Sequence, residues 1–350
     1  MTALEEKPDT VGGRISADWG TAVPTAAVSL ANARAGDFNV LDTVIQISKK
    51  INSNTSATVV LWDDASGLHV NPTNFLVPDE AYVTVRDTDI FDIDMDLVVG
   101  RQYVGYGYGL TFNNDIMSAD GVRFINRDWD FETEVFVANT SAVANDDILA
   151  VIRVADDIGD HLNLGVTYVA NPYGGTFLTP RYGVDATVLA GEHTIYTEVA
   201  WDSNISWMVP AAALLDVEVL NDGDWNVHLG GSFVHAAYAA ADPMTLVTPY
   251  TRAWNNEPYA GFWYQRLMTP LAFGKGEATA YLKAVFHDDT RDWRFAYIHS
   301  TIAGNSLASV GTDIPIGGDF DLNVDLAQTL FGTAANPMRT LVRCGVSWGF

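Results

Sequence analysis

Long stretches of this chain alternate apolar and polar residues with a period of two, and that period decides what the chain can fold into. In FDIDMDLVV, residues 91–99, Phe91, Ile93, Met95, Leu97 and Val99 share one parity and Asp92, Asp94 and Asp96 the other. DFDLNVDLAQTL, residues 319–330, sets Phe320, Leu322, Val324 and Leu326 against Asp319, Asp321, Asn323 and Asp325. FETEVFV at 131–137 and MRTLVRCGVSWGF at 338–350 follow the same rule. Side chains alternate across a β-strand, so each stretch reads as a strand with one apolar face and one wet face. Apolar residues at helical spacing are missing from these segments. The expected fold is all-β.

Eighteen strands are predicted: 12–19, 39–51, 56–65, 80–88, 91–104, 119–128, 130–140, 146–156, 161–171, 180–190, 193–202, 208–220, 224–237, 257–267, 275–287, 292–301, 319–331 and 338–350, with sixteen as the alternative count. Soluble strands average about five or six residues. Many of these approach the roughly ten residues that cross a bilayer core at about 45° of tilt. Short, turn-like links such as DTDI and LAGEH alternate with long ones at 20–38, 66–79, 105–118, 172–179 and 238–256. That parity belongs to a transmembrane antiparallel β-barrel with short periplasmic turns and long outer loops. It lapses at 302–318 and 288–291. Aromatic residues at strand ends (Tyr82, Trp129, Tyr168, Trp201, Trp225, Tyr264, Trp293 and Trp348) suit interfacial girdles. Residues 1–350 read as a single barrel domain, with 1–11 a flexible N-terminal segment.

Composition narrows the function classes. A formal net charge of −25 and a pI of about 4.3 exclude a nucleic-acid binder, which needs basic patches. A hydrophobic content of 48% excludes a disordered acidic chain. The one cysteine, Cys344, lies on the apolar parity of the last strand and excludes an intrachain disulfide or a multi-cysteine metal site. No metal or other cofactor is expected. No apolar run is long enough for a transmembrane helix. MTALEEKPDTVGG lacks the features of a signal peptide, as expected of a mature chain. None of the seven histidines falls in H-E-x-x-H, and there is no G-x-S-x-G elbow. The nearest grouping is His287, Asp288 and Asp289 with His299 and Ser300. An enzyme is not expected.

A charged side chain facing lipid at the midplane costs about 2–4 kcal/mol for Arg or Lys, so the polar parity is expected to line a lumen. Its selectivity candidates are Asp92, Asp94, Asp96, Arg123, Arg127, Glu132, Glu134, Asp321, Asp325, Arg339 and Arg343, joined by Arg101. Arg101 falls on the apolar parity of its strand, so it either stands beyond the hydrocarbon or is turned inward by a bulge at Gly100. Glu198, Asp319, Arg86, Arg153, Lys283 and Arg294 also have the inward parity. The loop GYGYGLTFNNDIMS, 105–118, is the candidate constriction. Gly107 and Gly109 permit sharp bends, Tyr106, Tyr108 and Phe112 could pack on the wall, and Asn113 and Asp115 complete the candidate set. An outward-lying loop is the alternative.

The tail places an apolar residue at every second position back from its terminal aromatic: Phe350, Trp348, Val346, Cys344 and Val342. In this it resembles the C-terminal signal of bacterial outer-membrane β-barrels, which implies recognition by the barrel-assembly machinery. VVGRQYVGYGYGLTFNN with SADGVRF, 98–124, resembles a segment of porin-like barrels of the alginate-export and S-layer-linked types, through Gly100, Arg101, Gln102, Gly107, Gly109, Asp120 and Gly121. Alginate exporters would imply a cationic lumen, from which this acidic chain departs. The expected protein is an outer-membrane porin in contact with lipid and lipopolysaccharide. It would pass small hydrophilic solutes or ions with a cation preference, alone or as a homo-oligomer. The alternative is a plugged, anchoring barrel associated with a surface layer.

Overall fold

The computed structural model describes residues 10–24, 37–64, 77–90, 93–107, 109–112, 119–126, 129–139, 148–173, 180–203, 209–234, 277–288, 290–300, 305–318, 320–330 and 339–349. Among them are eighteen strands and no helix: β1 (Thr10–Pro24), β2 (Asp37–Lys50), β3 (Thr55–Asp64), β4 (Val77–Ile90), β5 (Ile93–Gln102), β6 (Ala119–Asn126), β7 (Glu132–Asn139), β8 (Ile148–Ile158), β9 (Leu162–Tyr173), β10 (Arg181–Ala190), β11 (His193–Asp202), β12 (Ala212–Asn221), β13 (Trp225–Val234), β14 (Glu277–Asp288), β15 (Arg291–Ser300), β16 (Asn305–Gly317), β17 (Phe320–Thr329) and β18 (Arg339–Gly349).

Each strand pairs antiparallel with the next. β1 pairs with β2 on one side and with β18 on the other, where Trp19 stands opposite Cys344. The ring therefore closes and leaves no edge. That is the condition for β-structure in hydrocarbon, where an unpaired backbone group finds no water.

Burial shows which face points out. Val166 is 48% exposed and Leu215 50%, and Ile152, Val154, Leu229, Leu326 and Val342 are exposed on the same outward parity. Glu134, Arg153, Arg181, Asp185, Glu198, Asp202 and Asp325 are buried on the other. A water-soluble protein distributes these residue types the opposite way. Aromatic pairs ring the outside near the short turns, with Trp225–Phe286 at 4.7 Å and Phe320–Trp348 at 5.8 Å between centroids. Tyr182 and Trp201 stack at 5.7 Å toward the other end. Tyr82 does not join a girdle, because its parity is that of buried Thr84 and it stands opposite Thr58, also buried. Tyr264 lies outside the described residues.

The links after even-numbered strands are short throughout, and the expected lapse at 302–318 disappears because β16 occupies 305–317. Its sequence, NSLASVGTDIPIG, carries small residues on both parities, which hid the period. The strand expected at 257–267 lies outside the described residues. β1 begins at Thr10, inside the segment expected to be flexible. Three short turns are tied by their own side chains. Asn52 Oδ1 accepts the N–H groups of Asn54 and Thr55 at 2.9 Å, and Asp222 Oδ1 accepts those of Asp224 and Trp225 at 3.1 and 2.7 Å. Asp288 Oδ1 accepts from Thr290 N–H at 2.7 Å. Part of the acidity is thus turn chemistry, since Asn and Asp mimic a backbone acceptor.

Two outcomes follow from the outward face. Cys344 is exposed on it, so in lipid vesicles it should resist a charged, water-soluble maleimide, react with a lipid-soluble one, and react with both after denaturation. Val166→Arg should destabilise the folded barrel in vesicles by about 2–4 kcal/mol in denaturant titrations, because it puts a cation in hydrocarbon.

Candidate functional site

An eighteen-stranded barrel is too wide to be filled by its wall side chains alone. Part of its interior is instead occupied by the chain that follows β5. Tyr106 N–H donates to Phe112 O at 3.2 Å, and Gly109 N–H donates to Tyr106 O at 2.9 Å, closing a tight loop. Gly107 and Gly109 take φ of +54° and +80°, a region that favours glycine. Val104, Tyr106 and Phe112 of this loop form one buried cluster with Ala119, Phe136, Ala138, Leu149, Val151 and Val169, which are inward positions of β6 to β9. The Phe112 ring lies 6.0 Å from Tyr106 and 6.2 Å from Phe136. The described residues of the loop, 103–107 and 109–112, are held against the inner wall by an apolar contact.

Charged groups fix it further. The Tyr106 hydroxyl donates to Glu134, whose carboxylate also takes both arms of Arg123, with Nη2 to Oε2 at 2.8 Å. Arg153 grips Asp185 through two bonds of 2.5 and 2.8 Å, donates to Thr167 at 3.0 Å, and lies 5.5 Å over the Tyr106 ring. Thr111 donates to Glu198 Oε1 with its backbone N–H at 2.8 Å and its hydroxyl at 2.9 Å. Toward the long-loop end, Arg181 Nε donates to Asp202 at 3.2 Å, and both residues are almost fully buried. Gly165 makes room, since a Cβ there would collide with the Arg153 guanidinium. The two-point bonds of Arg123 and Arg153 are strong and directional, and a buried charge that lost its partner would be costly.

Two more polar groups line the remaining wall. His228 Nδ1 lies 2.5 Å from Asp216, Tyr281 donates to Asp216 at 2.6 Å, and Asn226 donates to Glu218 at 3.0 Å. Arg294 bonds Asp313, with Nη2 to Oδ1 at 3.1 Å, and reaches Asp325 at 3.5 Å. Among the described residues no three His, Cys, Asp or Glu side chains are grouped to hold a metal ion.

The residues singled out from sequence fall as follows. Glu132, Glu134 and Arg123 share the inward parity of β6 and β7, and Asp94 and Asp96 share that of buried Val98 on β5. Asp325 lies inward beside Arg294, and Asp321 shares its parity. Arg101 is on the other face. It keeps the parity of exposed Val99, and at the long-loop end it pairs with Asp120 through two 3.0 Å bonds. No register shift occurs at Gly100, so the strand does not turn Arg101 inward. Arg343 stands opposite Asp325 in register, and Arg339 opposite Pro24. Val342 and Cys344 are exposed on the outer face, and Trp348 stacks there on Phe320. Asp92, Arg127, Tyr108, Asn113, Asp115 and Phe350 lie outside the described residues. His287 bonds Asp292 at 2.8 Å, and His299 meets Ser306 on the opposite sheet face, so the two histidines do not form one site.

Sequence reasoning missed Thr111, Asp185, Asp202 and the apolar seat of Phe136, Leu149, Val151 and Val169. A signal for the seat was present: ILAVI at 148–152 is apolar on both parities, as a strand must be when both its faces are covered.

No family model and no curated protein matches the chain. Solved structures do. OpdK of Pseudomonas aeruginosa, determined with vanillate, superposes with a TM-score of 0.59 at 9% identity, over 97% of this chain and 98% of that one. OccK10 (OpdN) of Pseudomonas aeruginosa gives 0.63 at 10% identity, over 98% and 99%. A BenF-like porin from Pseudomonas fluorescens Pf-5 gives 0.59 at 8%, over 99% and 100%. The fold is that of bacterial outer-membrane porins. The resemblance of residues 98–124 to alginate-export-type barrels is not shown.

Arg181→Ala should cost about 3–5 kcal/mol of stability, because it strands the Asp202 carboxylate, whereas the double change Arg181→Met with Asp202→Leu should be close to neutral. Unfolding titrations of the two variants in the same lipid separate these outcomes.

Proposed function

We propose that this protein is an outer-membrane channel that lets small hydrophilic solutes and ions diffuse through a charged lumen, and that it is not an enzyme. The observation that carries this reading is the inverted distribution of side chains, with a closed apolar exterior around carboxylates and arginines. A barrel serving only as an anchor needs no such interior. The loop at 103–112 narrows the passage from one wall, and the lumen charges filter what passes, as rings of charge do in selective pores. The similar porin structures support a channel.

The sign of the filter is read from the pairing. Arg123, Arg153, Arg181 and Arg294 are each bound to a carboxylate. Carboxylates of Asp216 and Glu218, on the wall away from the loop, accept bonds from neutral hydroxyl and amide groups. The balance favours cations, and the lumen acids Asp94, Asp96, Glu132 and Asp321 take part in it. The tail from Val342 to Phe350 acts as the assembly signal in this reading.

Purified in detergent and added to a planar bilayer under a salt gradient, the protein should give discrete conductance steps and a cation-selective reversal potential. An anion-selective potential would overturn the cation preference alone. Stable insertion without conductance would overturn the channel and leave a plugged, anchoring barrel.

A further inference from the structure

The loop tip does not simply rest on the wall; the wall is cut to receive it. Thr111 sits over Gly183 of β10, where any Cβ would collide with the Thr111 hydroxyl. Gly107 is wedged between two wall acids, and a Cβ on it would come within 2.9 Å of both Asp185 Cβ and Glu198 Oε2. Glu198, 1% exposed, directs its carboxylate into this seat and receives both Thr111 donors on one oxygen. Asp185, beside it, is held in place by Arg153, which in turn lies over the ring of Tyr106. The fit is thus steric at Gly183 and Gly107, and electrostatic at Glu198.

We infer that Gly183 and Glu198 form a latch that positions the tip of the 103–112 loop and thereby fixes the width of the channel. Glu198 is a positioning residue: it acts on permeation through Thr111, not through contact with the solute. The inference rests on the channel reading above for its effect on permeation. The docking itself does not depend on that reading. The tip is held at Thr111 by Glu198 and, at the other side of the loop, by the Tyr106–Glu134 bond within the apolar cluster. Losing the Glu198 end alone should free the tip while the Tyr106 end stays seated.

The test uses the full chain, with two readouts. For the first, Leu110, which is 2% exposed at the tip, is replaced (Leu110→Cys) in a Cys344→Ser background, and its labelling by a water-soluble maleimide is timed. For the second, unit conductance is recorded in planar bilayers. Glu198→Ala removes the acceptor. Gly183→Val fills the notch without touching a charge. Glu198→Gln keeps an oxygen that accepts from Thr111. Should Glu198→Ala fail to assemble, Thr111→Val removes only the hydroxyl donor. Glu198→Ala and Gly183→Val should each raise the labelling rate roughly tenfold or more, as expected for losing a hydrogen bond to a charged group at a locally opening segment. They should also raise unit conductance by roughly half or more as the constriction widens. Glu198→Gln should stay close to the parent in both. Folded variants that label no faster than the parent would overturn the latch. A parent that labels as expected but never conducts would overturn the channel reading and leave the latch standing. Faster labelling with unchanged conductance in a conducting parent would confine the latch to the loop and remove it as the determinant of width.

Discussion

A polypeptide that crosses hydrocarbon cannot leave a backbone N–H or C=O without a partner, because no water is present to accept or donate. Everything else in this structure depends on meeting that requirement through a closed ring of strands. Closure between β1 and β18 removes the two edges that an open sheet would expose. It also creates an inside and an outside, and the period-two sequence then sends apolar groups to one and polar groups to the other. The aliphatic exterior from Ile152 to Leu326 and the carboxylates and arginines within are two results of one geometric fact.

Placing charge inside a tube creates a second problem, which the interior solves locally. Arg153 meets Asp185 across β9, Arg181 meets Asp202 on the neighbouring strand, and Arg294 lies between two acids on β16 and β17. These pairs need small residues nearby. Gly165 leaves room for a guanidinium, and Gly311 leaves room for the Asp325 carboxylate. Pairing of this kind contributes little net stability over a well-packed apolar alternative. What it confers is geometry, since each bound arginine fixes the strand opposite at a set register.

Much of the architecture was legible in the alternation. Strand length, the parity of short and long links and the apolar tail all report on the same requirement, that of crossing a bilayer. The strand at 305–317 escaped because Ser306, Ala308, Ser309 and Gly311 are small on both faces, so the period had nothing to act on. The bends of the 105–118 loop could be anticipated from Gly107 and Gly109. Its partners could not, because Glu198 and Gly183 lie some seventy to ninety residues further on and meet Thr111 only after the ring has closed. Arg101 illustrates a different limit. Parity placed it outward unless a bulge at Gly100 turned it in; the register runs through Gly100 unbroken, and Asp120 is its partner at the long-loop end of the strand.

The apolar cluster beneath Tyr106 and Phe112 bears on how the barrel's charge should be counted. Glu134 and Asp185 belong to the seat of the loop together with Arg123 and Arg153, which bind them, and Glu198 belongs to it through Thr111. They serve as structural groups, and the two arginine–carboxylate pairs among them act on a passing ion chiefly as dipoles. A formal total of −25 taken from composition therefore describes the molecule seen from bulk solvent. The quantity that governs passage is a different sum, taken only over groups that the loop leaves uncovered, and two homologues of identical net charge could differ in it completely.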